Sequence, residues 1–183
     1  MKKNILYFDL EHGSQTIGGA KDINNLFGFP ELEPSTFGEF QDIIKQLYAP
    51  KKVESKVKIG DLEVKQTTRK VVPKSNTKID GIVIDTVSEL SKKYQRSLIN
   101  QEGMMQMKDW GKLKNTIDKL MDMLTTLPGI LICNCHSKIQ HMDDGGSKLV
   151  PYIDGSSKED ISKWFDFVFY CKAKTNLKGE TEY

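Results

Sequence analysis

The sequence is poor in cysteine, lacks a long apolar run and has no dominant sign of charge. Its three cysteines, Cys133, Cys135 and Cys171, are too few and too clustered for a disulfide framework. No apolar stretch is long enough to span a bilayer, and residues 5–8 are too short for a signal-peptide core. The 27 basic and 25 acidic residues nearly cancel, so no net charge draws the whole chain to nucleic acid or membranes. We therefore expect a cytoplasmic chain with one sizeable core.

Short apolar runs alternate with amphipathic stretches along the chain. The predicted strands are residues 5–8, 82–84, 130–133 and 167–170. The predicted helices begin near Thr36, Thr86 and Trp110, with a short one at 159–164. Polar residues 101–109 are predicted to form a loop or a frayed helix, and residues 137–157 a long loop. Strands that alternate with helices predict an α/β fold with a parallel sheet, in which ligands bind at the carboxyl ends of the strands.

Residues 51–78 differ from the rest of the chain in composition. They contain nine basic and three acidic residues, which gives a net charge of +6 (9 − 3). Val57 and Ile59, then Leu62 and Val64, alternate with polar residues around a Gly-Asp pair. This pattern predicts an exposed β-hairpin that projects from the core. Basic runs of this kind are most often solvated surface, so the composition alone does not indicate a nucleic-acid site.

Polar side chains follow three of the predicted strands. Asp9 and Glu11 follow the first, Asp85 the second and His136 the third. Asp85 fits the Walker B pattern, in which a buried strand holds one carboxylate that orients Mg²⁺ against nucleotide phosphates. Glu11 could polarise a water that attacks a γ-phosphate, and His136 could sense that phosphate. Each residue also has an ordinary structural explanation, because many strands end in a capping or solvated polar residue.

Two other chemistries are open at these positions. Cys133, Cys135, His136 and His141 suggest zinc, but alternate strand residues point to opposite faces and no CxxC pair completes a tetrahedral set. Asp9, Glu11 and Asp85 could instead serve a metal-dependent phosphoesterase. We expect neither, since the order of the motifs along the chain favours a nucleotide site.

Taken together, these segments resemble the RecA-like core of phage recombination ATPases, and most closely the short single-strand-annealing type. Residues 7–13 (YFDLEHG) are similar to the RecA segment with the water-activating glutamate, and residues 81–90 (GIVIDTVSEL) to its Walker B strand and following helix. Residues 110–113, 130–136 and 149–170 resemble later parts of that core. The resemblance covers most of the chain, and the order and spacing of its motifs are more specific than any one of them.

The resemblance implies a set of roles. Glu11 would activate water, Asp85 would hold Mg²⁺, His136 would sense the γ-phosphate, and Asp9 and Thr86 would contact the cofactor, ATP. Single-stranded DNA would meet the basic segment 51–78 and loop residues 139–157, at Lys65, Arg69, Lys70 and Lys148. The complete protein would assemble as a homo-oligomeric ring or filament, without a membrane, in the cytoplasm of a phage-infected or lysogenic host.

One part of the family pattern is missing from the sequence. No GxxxxGK[ST] occurs in the 183 residues, and Gly145-Gly146-Ser147-Lys148 lacks the spacing and the preceding strand. By the resemblance, the P-loop and its strand would come before residue 5, so we expect a chain truncated at its start, and after Tyr183 as well. An alternative interpretation is a non-hydrolysing partner that binds DNA or another subunit.

Overall fold

The structure is a computed structural model that describes residues 4–13, 29, 32–74, 78–143, 145–153, 160–171, 174–175 and 181–182. Its elements in chain order are β1 (Ile5–Asp9), α1 (Phe37–Leu47), β2 (Tyr48–Ile59), β3 (Leu62–Pro73), β4 (Gly81–Asp85), α2 (Val87–Leu98), α3 (Met107–Thr125), β5 (Ile130–Cys133), β6 (Ser137–His141), β7 (Ser147–Pro151), a 3-10 helix (Ile161–Trp164), β8 (Lys174–Thr175) and β9 (Thr181–Glu182). Within these residues no helix is long and apolar enough to cross a membrane.

A parallel sheet of three strands organises the fold, in the order β1-β4-β5. Ile5 pairs with Gly81 and Asp9 with Asp85, and Gly81 pairs in turn with Ile130. Because all three strands run in the same direction, their carboxyl ends lie along one edge. The predicted α/β class with a parallel sheet and flanking helices is confirmed.

One face of the sheet is covered by the three α-helices and forms the main core. Phe8, Ile82 and Ile84 are at most 2% exposed and pack with apolar residues of α1, α2 and α3. Phe8 meets Phe40 of α1 edge-to-face, with ring centroids 4.9 Å apart. Helical spacing of apolar residues gives each helix one such face, as the sequence predicted. The helices therefore fix the sheet from one side.

The two outer edges of the sheet differ. At the β1 edge, Leu32 exchanges backbone hydrogen bonds with Tyr7 and Asp9, both 2.9 Å long. At the β5 edge, no strand of the described residues pairs, and Ile130 and Ile132 are 60% and 48% exposed. An open edge of a parallel sheet leaves backbone N–H and C=O groups for another segment to pair with.

Two sequence predictions in the second half of the chain are wrong. The predicted fourth strand at 167–170 has no regular structure, and Phe167 and Phe169 are 77% and 82% exposed. Its apolar composition suits a buried strand, but a strand also needs a neighbour, and no described strand pairs with it. The predicted loop at 137–157 contains the antiparallel hairpin β6–β7 over residues 137–151, while 154–157 lie outside the described residues.

Helix α3 begins earlier than its apolar pattern indicated. It starts at Met107 rather than at Trp110. The carboxylate of Asp109 accepts a hydrogen bond from the backbone N–H of Gln106, at 3.2 Å, and this contact caps the first turn. Asp109 is buried, and its contact with Lys112 at 2.7 Å further orders the turn. The capping signal was in the sequence but its polar, Met-rich context concealed it.

Strands β2 and β3 form a separate antiparallel ribbon, turning at Gly60–Asp61 where the sequence predicted a turn. Each strand has 12 residues, so at about 3.3 Å per residue the ribbon is roughly 40 Å long. The ribbon is anchored at its base, where Tyr48 is buried and the N–H of Lys74 donates to the carbonyl of Leu47 at 2.8 Å. It continues directly from α1, which ends at Leu47.

Candidate functional site

Three side chains from different strands meet at the carboxyl edge of the sheet. Glu11 follows β1, Thr86 follows β4 and His136 follows β5. The Oε1 atom of Glu11 accepts a hydrogen bond from the hydroxyl of Thr86 at 2.5 Å and lies 2.7 Å from Nε2 of His136. The parallel topology produces this cluster from residues 75 and 125 positions apart. One carboxylate oxygen is thus held from two sides.

The partners of Glu11 are themselves fixed. The hydroxyl of Thr86 also accepts from the N–H of Glu89 at 3.2 Å, which caps α2, so its position is set by the helix. The backbone N–H of His136 donates to the hydroxyl of Ser88 at 3.0 Å. Ser88 is fully buried in the first turn of α2. Helix α2 therefore positions both groups that hold Glu11.

Asp9 supports the loop that carries Glu11. Its side chain is 1% exposed, and Oδ1 accepts from the N–H groups of Glu11 and Gly13 at 3.0 and 3.1 Å. These bonds close the turn after β1, in the manner of an Asx turn. In the structure Asp9 therefore holds the loop that carries Glu11, and its contact with a cofactor stays a prediction.

Asp85 lies beside this cluster at the end of β4. It is half-buried, and its Oδ2 accepts from the hydroxyl of Tyr7 at 2.8 Å. The N–H of Leu10 donates to the backbone carbonyl of Asp85 at 2.7 Å, and the Asp85–Thr86 peptide is cis. Among the described residues, Oδ1 of Asp85 has no protein partner. One oriented carboxylate oxygen is therefore left at the sheet edge.

The charge on Glu11 is favoured by its surroundings. Partial burial acts to raise the pKa of Glu11, but the hydrogen bonds from Thr86 and His136, together with the charges of His136 and Lys92, outweigh it. The pKa of Glu11 is therefore below the ordinary value of 4.5, so this carboxylate is ionised at neutral pH. By contrast, burial and the neighbouring Cys135 raise the pKa of the Cys133 thiol to about 12, which keeps it neutral.

A cavity of about 450 Å³ opens beside Glu11, and sequence reasoning missed most of its lining. Besides Leu10, Glu11, His12 and His136, it is lined by Glu89, Lys92, Lys93 and Arg96. The last four belong to α2 at positions i, i+3, i+4 and i+7, which puts them on one helix face. The basic residues Lys92, Lys93 and Arg96 in the helix after β4 were the available signal in the sequence.

Comparison with known families assigns the chain. A family model described as an AAA domain matches residues 1–182. The chain belongs to the AAA domain family. No curated protein and no solved structure matches it. It is therefore an ATPase-type domain, and membership implies nucleotide binding and usually a divalent metal.

The residues of this AAA domain fit one role toward Mg²⁺. The ion prefers oxygen ligands and keeps several waters, so one carboxylate oxygen together with phosphate oxygens is enough to hold it. The unpartnered Oδ1 of Asp85 suits such a ligand. Within the described residues no group of three acidic, histidine or cysteine side chains could hold a metal by itself. The alternative of a phosphoesterase built on Asp9, Glu11 and Asp85 therefore gains no support, because Asp9 already binds two amides.

The predicted nucleic-acid residues of this AAA domain do not line the cavity. Lys65 is exposed in β3 opposite Lys56, and the backbone register pairs Arg69 with Lys52 and Lys70 with Lys51. Lys148 is exposed in β7 opposite Gln140. Because alternate positions of a strand face opposite sides, positions 65 and 69 share one face of the ribbon and position 70 is on the other. The structure thus places the four predicted DNA-binding residues on different strands and on different faces of the ribbon.

Proposed function

We propose that this AAA domain is part of a phage-type, RecA-like ATPase that couples ATP binding and hydrolysis to single-stranded DNA in recombination or strand annealing. The observation that carries the proposal is the ionised Glu11, held by Thr86 and His136 beside Asp85 at the sheet edge. A rigid carboxylate next to a metal-binding carboxylate is the arrangement that water activation in phosphoryl transfer requires.

In this proposal each side chain has a defined task. The second carboxylate oxygen of Glu11 orients a water by accepting its hydrogen bond, while Oε1 stays fixed by Thr86 and His136. His136 links Glu11 to the hairpin β6–β7, since its carbonyl accepts from the N–H of Tyr152 at 2.6 Å. Asp85 would hold Mg²⁺, which supplies charge neutralisation to the phosphates when bound.

Phosphate binding in such ATPases also needs backbone N–H groups and a helix N-terminus around the phosphates. We propose that a P-loop strand pairs with the open outer edge of β5, where Ile130 and Ile132 are exposed. The exposed apolar residues 167–170 support the same idea, because they have the composition of a strand and pair with no described strand. Without such a strand the chain is expected to have little ATPase activity.

The β2–β3 ribbon is the proposed surface for single-stranded DNA. By register, one face carries Lys52, Lys56, Lys58, Lys65 and Arg69 with only Glu54 and Glu63. Beyond the buried Tyr48 at the base of the ribbon, this face contains no aromatic residue, so it offers phosphate contacts rather than base stacking. In a ring or filament of several copies, such ribbons would line up along one strand of DNA.

A salt-dependent binding measurement tests the ribbon. Replacing Lys65, Arg69 and Lys70 together by alanine should weaken binding of an oligothymidylate and flatten the dependence of log K on log salt, by about 0.7 for each phosphate that is no longer neutralised. The double variant Lys65→Ala/Arg69→Ala should weaken binding more strongly than the double variant Lys51→Ala/Lys70→Ala. The second pair is the matched control, since it removes the same charge from the other face.

Fluorescence anisotropy at several salt concentrations provides these slopes. Unchanged affinity in the triple variant would remove the ribbon from the DNA interface and leave it as solvated surface. Equal effects of the two double variants would mean that net charge alone, and not the face defined by the register, governs binding.

A further inference from the structure

We propose that the cavity beside Glu11 is a binding site for a phosphate group, with Lys92 and Arg96 of α2 as its cations. The proposal rests on the proposed function in one respect, because the phosphate it would receive there is the terminal group that the water on Glu11 attacks. No P-loop, Walker B residue or ribbon lysine takes part in it.

The charges in the cavity leave an excess of positive charge. Lys92 and Arg96 share a single carboxylate, Glu89, at 3.5 and 2.9 Å. Lys93 donates to a neutral group, the backbone carbonyl of Ser35, at 3.3 Å. Glu11 is already hydrogen-bonded to Thr86 and His136. Three cations therefore face two carboxylates, which leaves one positive charge in excess (3 − 2) to attract an anion.

Lys92 is the better placed of the cations. Its side chain is 32% exposed, whereas that of Arg96 is 64% exposed, so its charge is less screened by water. Its Nζ lies 5.1 Å from the ring centroid of Tyr152, a cation–π contact that restrains it over the cavity. Its charge also acts on Glu11, so an anion held by Lys92 would lie near the water-binding carboxylate.

The ligand class follows from this chemistry. An ammonium and a guanidinium at the mouth of an open cavity bind phosphate oxygens as charge-assisted hydrogen bonds. A phosphate monoester or orthophosphate carries up to two negative charges near neutral pH, while each phosphodiester of a nucleic acid carries one. A terminal phosphate also offers at least three unesterified oxygens to Lys92 and Arg96, where a phosphodiester offers two. The cavity is therefore assigned to the terminal phosphate of a nucleotide, or to free orthophosphate, rather than to a nucleic-acid backbone.

Titration of the ¹⁵N-labelled chain with orthophosphate, at constant ionic strength, tests the site without any need for hydrolysis. Saturable shifts are expected at the amides of Glu11, Lys92 and His136. Lys92→Ala should weaken the affinity about tenfold, the size of a missing charge-assisted hydrogen bond, and Arg96→Ala should weaken it less. Lys119→Ala is the matched control, because Lys119 is an exposed lysine of α3 outside the cavity lining.

Lys92→Gln serves as the second variant, because it keeps most of the length of the side chain beside Tyr152 while removing the charge. It should lose affinity like Lys92→Ala while its melting temperature stays at the wild-type value. Two results would overturn the site. One is that orthophosphate causes no saturable amide shifts at the cavity. The other is that the shifts persist unchanged in Lys92→Ala, Lys92→Gln and Arg96→Ala.

Competition separates the two sources of phosphate. An oligothymidylate without a terminal phosphate is expected to leave bound orthophosphate in place. Displacement by the oligothymidylate would assign the cavity to the nucleic-acid backbone and overturn the proposal. Orthophosphate bound through Lys92, in a chain that shows no ATPase activity even when a P-loop is supplied, would support this site while refuting the proposed function.

Discussion

At the scale of single residues, Glu11 is the group whose surroundings are best defined. One of its oxygens is committed to Thr86 and His136, and the loop that carries it is closed by the buried carboxylate of Asp9. A carboxylate held in this way loses little freedom when it orients a water, because its rotamer is already fixed. The arrangement is therefore preorganised before any ligand binds.

The hydrogen bonds of Glu11 also predict how stability depends on pH. The pKa of Glu11 in the folded chain is below 4.5, its ordinary value, so the ionised form stabilises the fold. This contribution is fully present above the unfolded pKa and is lost as the pH falls through the folded pKa. Glu11→Gln should therefore reduce the free energy of unfolding near neutral pH, and this difference should shrink as the pH falls below 4.5. Urea unfolding of both chains over a series of pH values measures this, and a difference that does not change with pH would show that the ionisation of Glu11 is not coupled to folding.

The sequence predicted which residues end the three strands but not how they divide their tasks. Asp9 and Glu11 are both acids at the end of the same strand, and only the hydrogen bonds from the loop amides show that Asp9 holds the loop that carries Glu11. Lys92 and Arg96 were missed because they lie mid-helix, where a basic residue is usually solvated surface. Their position in the cavity depends on how α2 packs, which pattern alone does not give.

At the scale of elements, the entry into β5 fixes the third strand against β4. Gly129 has φ +104, and a Cβ there would lie 2.6 Å from the backbone oxygen of Asp80. The next residue, Ile130, donates to the same oxygen at 3.0 Å. The chain can make this close approach only without a side chain at position 129.

Two glycine substitutions should act in opposite directions on stability. Gly129→Ala combines a disfavoured φ with a backbone clash and should cost at least about 1 kcal/mol. Gly111→Ala is the control, because Gly111 lies in α3 with open space around it, and it should stabilise by about 0.5–1 kcal/mol. Thermal unfolding would detect both as shifts of about 2–4 °C per kcal/mol. An unchanged melting temperature in Gly129→Ala would contradict the close approach between position 129 and the backbone oxygen of Asp80.

Sequence patterns predicted best the elements that have a strong local signal. The caps at Thr36 and Thr86 and the turn at Gly60–Asp61 are encoded within a few residues. The failures at 137–157 and 167–170 have a different cause. Hairpin β6–β7 alternates only weakly, with Ile139 and Leu149 exposed, and an apolar run such as 167–170 becomes a strand only when a neighbouring strand is present.

At the scale of the whole molecule, the sheet is covered by α-helices on one face and, among the described residues, unpaired at the β5 edge. A three-stranded parallel sheet with an exposed apolar edge is a strong candidate to accept a further strand. The order and type of the three strands could be predicted from the sequence, because each is a short apolar run followed by a polar residue. The open edge could be expected only from the family resemblance, since no local signal encodes a missing neighbour.

The central proposal is that Glu11 and Asp85 form the water-activating and magnesium-binding side of an ATPase site, and that a P-loop segment supplies its phosphate-binding side. Steady-state ATPase assays test it most directly, on the 183-residue chain and on the same chain joined at Met1 to a strand, P-loop and helix, each with Glu11 and with Glu11→Gln. Phosphoryl transfer depends on positioning and charge stabilisation, so hydrolysis is expected only in the extended chain. In that chain, Glu11→Gln should reduce the rate of hydrolysis by at least about a hundredfold. Robust, Glu11-dependent hydrolysis by the 183-residue chain alone would contradict it.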